Sequence, residues 1–271
     1  MTGPAPGAPP QPAPQRPALG DPEAVVGVVF GCRPEEVAAD VVLTPFVPLT
    51  AFRRHVEPGV RELSPPFFYK GFTAAFMGRR VTVLSTGVGP SRVGDCLGFL
   101  SLTPARRVLF AGAVGGLADD LAIGEFFLAA EAADGEGFTR YVDHPFREVV
   151  RSARRVPRPG GFGDGLGAYL ASRGFRAREG RVFTVGSIAA ESRENLLELR
   201  RQGYEALEME LSAFYAGSSG YGLSAAALTY VSDLPLRSSL WEEKGPGEQE
   251  ALRRAYRALP LLALEYLTRG G

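Results

Sequence analysis

From residue 25 onward, short apolar runs recur along the chain, separated by amphipathic or glycine-punctuated stretches. The runs are VVGVVF (25–30), VVLT (41–44), RRVTVLST (79–86), RRVLFAGAVGG (106–116), GEFFLAAEAA (124–133), RVFTVGS (181–187) and LSAAALTYVSD (223–233). They are β-rich, and several are apolar at nearly every position, which predicts strands covered by helices on both faces. Helical periodicity fills the intervals. Pro90 suits the first turn of a helix over 91–102. A second helix over 192–202 ends at Gly203, a C-terminal stop. A third, over 207–216, places Leu207, Leu211, Phe214 and Tyr215 on one stripe, and a last one covers about 248–267. This alternation predicts one α/β domain over residues 21–271 with a mixed, largely parallel sheet. The segment 141–165 shows little period and reads as a surface excursion. Its four arginines between Arg151 and Arg158 suit a solvated loop, or a grip on an anion or a neighbouring subunit.

Composition narrows the function classes. Residues 1–20 contain seven prolines and almost nothing to bury, which predicts a disordered tail. The remaining length is ample for a sizeable core. Thirty basic residues balance thirty acidic ones, which excludes a general polyanion-binding surface and leaves nucleic acid an unexpected partner. All but Lys70 and Lys244 of the basic residues are arginines, a bias that fits either anion recognition or coding preference. Cys32 and Cys96 make no disulfide framework, and with only His55 and His144 beside them no metal site is expected. No apolar run is long enough to span a membrane and no signal peptide is visible, so the expected location is the cytoplasm.

Four places could carry chemistry. STGVGPSR (85–92) and FAGAVGGL (110–117) are glycine-rich strand ends, where a backbone can approach a ligand closely. Neither has dinucleotide or P-loop spacing, and each also reads as a tight turn. In ALEMELSAFY (206–215), drawn as a helix, Glu208 and Glu210 flank the apolar stripe on opposite sides; one faces a cleft, or both face solvent. TYVSDLP (229–235) ends an apolar strand in Asp233, where open α/β sheets bind ligands. Asp233 reads either as a helix cap or as a partly desolvated acid able to donate a proton.

In this order and spacing, the four motifs resemble the nucleoside phosphorylase and nucleosidase superfamily: hexameric purine nucleoside phosphorylases, uridine phosphorylases and methylthioadenosine/S-adenosylhomocysteine nucleosidases. The likeness runs from about Val41 to the C-terminus. It implies a three-layer α-β-α fold, no cofactor, and cleavage of an N-ribosidic bond through an oxocarbenium-like cation. By resemblance, Glu210 holds the ribose hydroxyls, Met209 packs on the sugar, and Val88 and Gly89 line the sugar side. Asp233 protonates or hydrogen-bonds the base. The expected partners are a nucleoside-like substrate, phosphate in the phosphorylase case, and further copies of the chain as a dimer or hexamer.

Departures from the family pattern cluster at its phosphate site. The Gly-Asp-Pro loop corresponds to Pro45-Phe46-Val47-Pro48, the strand arginine to Phe110, and the Ser or Thr beyond Gly112 to Ala113. Losing one charged contact costs about 1.5–3 kcal/mol, so losing three removes phosphate binding of the usual kind. Arg53, Arg61 and Arg92 are candidate replacements, Arg61 at the position that uridine phosphorylases lend to a neighbouring subunit. Nucleosidases use water activated by an N-terminal Glu, and Glu36 or Glu35 is the candidate here. Ile188 stands where an aromatic ring usually stacks on the base.

Overall fold

Residues 17–65 and 67–269 are described by a computed structural model. The disorder expected of the proline-rich tail therefore falls, for residues 1–16, outside the described residues.

The first element departs from expectation. VVGVVF reads as a strand by composition, yet it forms the body of helix α1 (Pro22–Phe30). The flanks decide. Asp21 accepts hydrogen bonds from the Glu23 and Ala24 amides, Pro22 occupies the first turn, and Gly31 closes the helix at φ 68°. Val26, Val29 and Phe30, three and four residues apart, are the buried face.

A 3-10 turn at Pro34–Glu36 leads into β1 (Asp40–Thr44), buried throughout, and then α2 (Leu49–Arg53). Strands β2 (Arg61–Leu63), β3 (Lys70–Phe76) and β4 (Arg79–Ser85) form an antiparallel meander, and α3 (Pro90–Leu100) follows. Next come β5 (Arg107–Gly116) and β6 (Phe126–Gly135). The segment expected to be irregular instead holds α4 (Phe138–Asp143), α5 (Phe146–Ser152) and β7 (Arg154–Pro157). Val149 and Val150 bury there, while Arg155 and Arg158 approach Glu131 and Glu179 at 3.7 and 3.2 Å. Those two charges are thus met from within the chain. After α6 (Leu166–Ser172) and β8 (Ala177–Val185) comes α7 (Arg193–Arg201), within the expected 192–202 and capped at its start by the Ser192 hydroxyl. The chain closes with β9 (Ala206–Glu208), α8 (Leu211–Gly220), β10 (Ser224–Asp233) and α9 (Pro246–Thr268).

The sheet is mixed. Its long ladders, β5 with β10 and β6 with β8, are parallel, and β1 runs parallel between β4 and β5. Around β5 the pairings close on themselves: β5 to β10, β10 to β6, β6 to β8, β8 to β9, and β9 back to β5. Helices α1, α3 and α8 cover one face and α2, α6 and α9 the other, each over its own apolar cluster. The result is the expected three-layer α-β-α architecture. Near the start of β1, the buried Asp40 carboxylate takes two hydrogen bonds from Arg107, at 2.7 and 2.8 Å, tying β1 to β5. Among the described residues no helix is long and apolar enough to cross a membrane.

Candidate active site

ALEMELSAFY is not one helix. Ala206 and Leu207 pair with Gly116 and Gly115 of β5, and residues 206–208 pair with β8, so the segment begins as a strand. Backbone partners on both sides outweigh the high helix propensity of Ala, Leu, Glu and Met, which amounts to only tenths of a kcal/mol per residue. The chain turns at Met209, and Glu210 becomes the residue preceding α8. The wheel geometry that set the two glutamates on opposite flanks therefore does not apply, and both are buried, Glu208 at 6% and Glu210 at 5% exposure.

They face different duties. One Glu208 oxygen accepts the amides of Glu210 and Leu211, each at 2.6 Å, and the other takes the Thr184 hydroxyl. Glu208 is thus consumed in holding the N-terminus of α8. Glu210 accepts the Gly89 amide at 2.7 Å, which binds the β4–α3 loop to the same point. That loop needs its glycines: Gly87 and Gly89 have φ of 72° and 115°, where an L side chain is strained. Burial raises the pKa of both carboxyls, and repulsion from Glu210 raises that of Glu208 further.

Asp233 lies at the C-terminal end of β10, after a register shift between Val231 and Asp233. The Ser232 hydroxyl donates to its carboxylate at 2.8 Å. Burial pushes its pKa up, while Ser232, the Lys244 ammonium and the Leu240 amide work against the rise.

These groups share one cavity of about 930 Å³ at the strand ends. Val88, Ala113, Ile188, Met209, Glu210 and Asp233 all line it. The sugar-side, base-side and acid candidates read from separate motifs are therefore brought together. Gly89 contributes its amide through Glu210 rather than a wall. Gly112 is packed inside β5, where an added Cβ would meet the Phe110 ring at 2.6 Å. Phe110 itself is in the core against Phe214. Phe46, in the loop after β1, is a wall of the cavity. Glu36 and Arg61 lie outside it and bond each other at 2.8 Å. Arg53 pairs with Glu62, and Arg92 donates to the Thr86 carbonyl and lies over the Tyr69 ring. Glu36 and the three arginines, Arg53, Arg61 and Arg92, are all absent from the lining of this chain's cavity.

Several walls had no signal in the sequence. Glu191 closes the short turn before α7, and Leu240, Trp241 and Lys244 come from the loop between β10 and α9. Tyr256 and Arg253 come from α9. Only the chain's return across the sheet brings them here. Glu191 is the notable omission: burial, and the nearby Asp233 carboxylate, push its pKa up to about 7. Among the described residues no group of His, Cys, Asp and Glu is arranged to hold a metal ion.

The family model described as "Phosphorylase superfamily" matches residues 44–264. A DeoD-type purine nucleoside phosphorylase of Myxococcus xanthus is 30% identical over 204 residues, covering 72% of this chain and 80% of its own. A uridine phosphorylase of Vibrio fischeri superposes with a TM-score of 0.72 at 19% identity, over 87% of this chain and 93% of that one. A Helicobacter pylori 5'-methylthioadenosine/S-adenosylhomocysteine nucleosidase superposes at 0.66 and 16% identity, over 84% and 96%. The last two establish likeness of fold.

Proposed function

As the chain belongs to the phosphorylase superfamily, whose members here are enzymes, we propose that it cleaves the N-ribosyl bond of a nucleoside-like substrate, a purine nucleoside by preference. One observation carries this reading: Glu210 and Asp233, from different elements, are buried in the same cavity at the strand ends. Glu210 accepts the ribose hydroxyls and its charge favours the cation developing on the ring. Met209 and Val88 pack on the sugar, with Gly89 fixing the Glu210 carboxylate. Asp233, its pKa raised by burial, hydrogen-bonds or protonates the departing base, and Ile188 lies against that base. The related phosphorylase of Myxococcus xanthus supports the purine. The protein acts in the cytoplasm as a homo-oligomer.

Water is the favoured acceptor in place of phosphate. Phe46 and Ala113 make the relevant wall apolar, and Arg53, Arg61 and Arg92 are engaged elsewhere in the chain. An arginine from a neighbouring copy, Arg61 first, is the remaining route to phosphate. The deciding experiment incubates the protein with a nucleoside panel, with and without phosphate, and follows free base. Release independent of phosphate is the expected result. Release only with phosphate would establish phosphorolysis, and no release from any nucleoside would leave a ligand-binding protein that has lost catalysis. Asp233→Asn should slow release by about 10²–10⁴-fold with the fold intact; unchanged turnover would remove Asp233 from the mechanism.

A further inference from the structure

Glu208 and Glu210 are buried carboxyls at the start of α8, close enough that the charge of one bears on the other. Among the described residues no arginine or lysine reaches either of them. The surrounding elements supply no compensation. Asp233 at the end of β10 and Glu191 before α7 are further carboxyls in the same cavity. Glu136, just past β6, accepts the Ser212 hydroxyl of α8 at 2.5 Å. The cations of the cavity are occupied elsewhere: Lys244 donates to the Ser239 carbonyl at 3.2 Å, Arg193 to the Leu236 carbonyl at 3.1 Å, and Arg253 lies 3.4 Å from Glu250. On the α3 side Arg92 is bound to the Thr86 carbonyl, and the Tyr215 hydroxyl donates to the Ala129 carbonyl at 2.7 Å. The two glutamates differ in their donors. Glu208 receives three: the Glu210 and Leu211 amides, and the Thr184 hydroxyl, whose oxygen is itself fixed by the Ser212 amide at 3.0 Å. Glu210 receives one, the Gly89 amide at 2.7 Å.

We propose that this pair shares a single proton, that the fixed charge of Glu208 keeps it on Glu210 in the empty site, and that the ribose hydroxyls displace it on binding. The inference rests on the nucleoside reading above and deepens it. Two like charges this near, buried and without a cation, do not both form readily at neutral pH. Hydrogen bonds to a carboxyl favour its charged form, so three donors against one place the charge on Glu208 and the proton on Glu210. Glu208 is therefore a positioning residue that acts through Glu210. A sugar diol brings two donors to Glu210 and favours its ionised, acceptor-only form. The carboxyl O–H bond of Glu210 breaks with its electron pair left on the carboxylate, and the proton passes to the buffer. Glu210 then carries its full charge when the ring begins to develop its own.

The test uses formycin A and formycin B, nucleosides whose carbon–carbon glycosidic bond does not cleave, so it reads binding alone. Titration calorimetry in buffers of different ionisation enthalpy counts the protons released. Below about pH 7 the wild type should release up to one proton per site, and its affinity should rise about tenfold per pH unit until Glu210 ionises unaided. Glu208→Gln keeps a carbonyl for both amides and removes the charge. Its affinity should stop rising at least about one pH unit lower, with correspondingly less proton release. A merely structural role for Glu208 would lower affinity alike at every pH. Asp233 and Glu191 are present in both proteins, so the difference between them reports the pair. A thermal midpoint checks the fold of the variant, and the proton count on the wild type needs no variant. The inference is overturned if the wild type binds without releasing a proton, or if Glu208→Gln leaves the pH of the rise in place. It is overturned, together with the nucleoside reading, if neither formycin binds. Nucleoside cleavage alongside binding that releases no proton would sink the inference and leave the cleavage reading standing. Proton-linked binding with no cleavage of any nucleoside would do the reverse.

Discussion

Asp233 and Glu191 illustrate how the same side-chain type acquires its character from where the chain puts it. Asp233 was legible as a candidate because an apolar strand ends in it, a local pattern with a general physical meaning. Glu191 was not legible: it sits in SIAAESRE, a polar stretch with no motif, and only the fold buries it near a second carboxylate. Its raised pKa has a consequence for stability. A carboxyl that titrates higher in the folded state binds more protons folded than unfolded, so its favourable contribution is complete below the unfolded value and is lost as pH rises through the folded one. The thermal midpoint of the wild type relative to Glu191→Leu should therefore fall between about pH 4.5 and about pH 7. Asp233, Glu208, Glu210, Arg193, Lys244 and Arg253 share the cavity, so the difference between the two proteins, measured by calorimetry across that range, reports Glu191 together with its coupling to Asp233. A difference constant with pH would show that Glu191 titrates normally.

At the scale of elements, the joint between β9 and α8 is the part on which the site depends. Glu208 accepts two amides and a hydroxyl, and Glu210 ties the β4–α3 loop to the same point. Glu208→Leu should lower stability by about 3 kcal/mol, since it strands buried donors, despite relief of the repulsion with Glu210. Urea denaturation checks this, and a loss below about 1 kcal/mol would mean that water replaces the carboxylate. Gly89→Ala should lower substrate affinity before it lowers stability, because the strain at φ 115° falls on the loop whose amide orients Glu210. A melting midpoint displaced with no change in affinity would contradict that. Most strands and the helices over 91–102, 192–202 and 248–267 were legible to within a few residues, because their apolar period or their caps are local. The errors share a cause. VVGVVF has strand composition but helix-ending flanks, ALEMEL has helix composition but open strand edges beside it, and 141–165 lacks period because its short elements rest on an apolar cluster of their own.

For the whole molecule, the apolar side chains left outside by one chain bear on assembly. Phe67 is 82% exposed, Phe68 41% and Val28 57%, and Tyr69 joins this strand lead-in to α1 through the Val29 carbonyl. Light scattering should give a mass of at least twice the 28.9 kDa of one chain. A single-chain mass would also end any role for Arg61 in a neighbour's cavity, leaving it as the partner of Glu36.

The even balance of charge, the alternating apolar runs and four short motifs in order were enough, from the sequence alone, to determine the fold class, the family resemblance and the residues most worth testing. Each of these is a property of neighbours along the chain, where spacing and composition act directly. The tertiary structure alone decided which of those residues meet. It closed β5, β10, β6, β8 and β9 into a ring, and so set Glu210 and Asp233 into one cavity with Glu191 and the walls from α9. It left Glu36 and Arg61 to each other. Proximity between residues a hundred positions apart follows from packing and strand pairing across the molecule, and no local pattern encodes it.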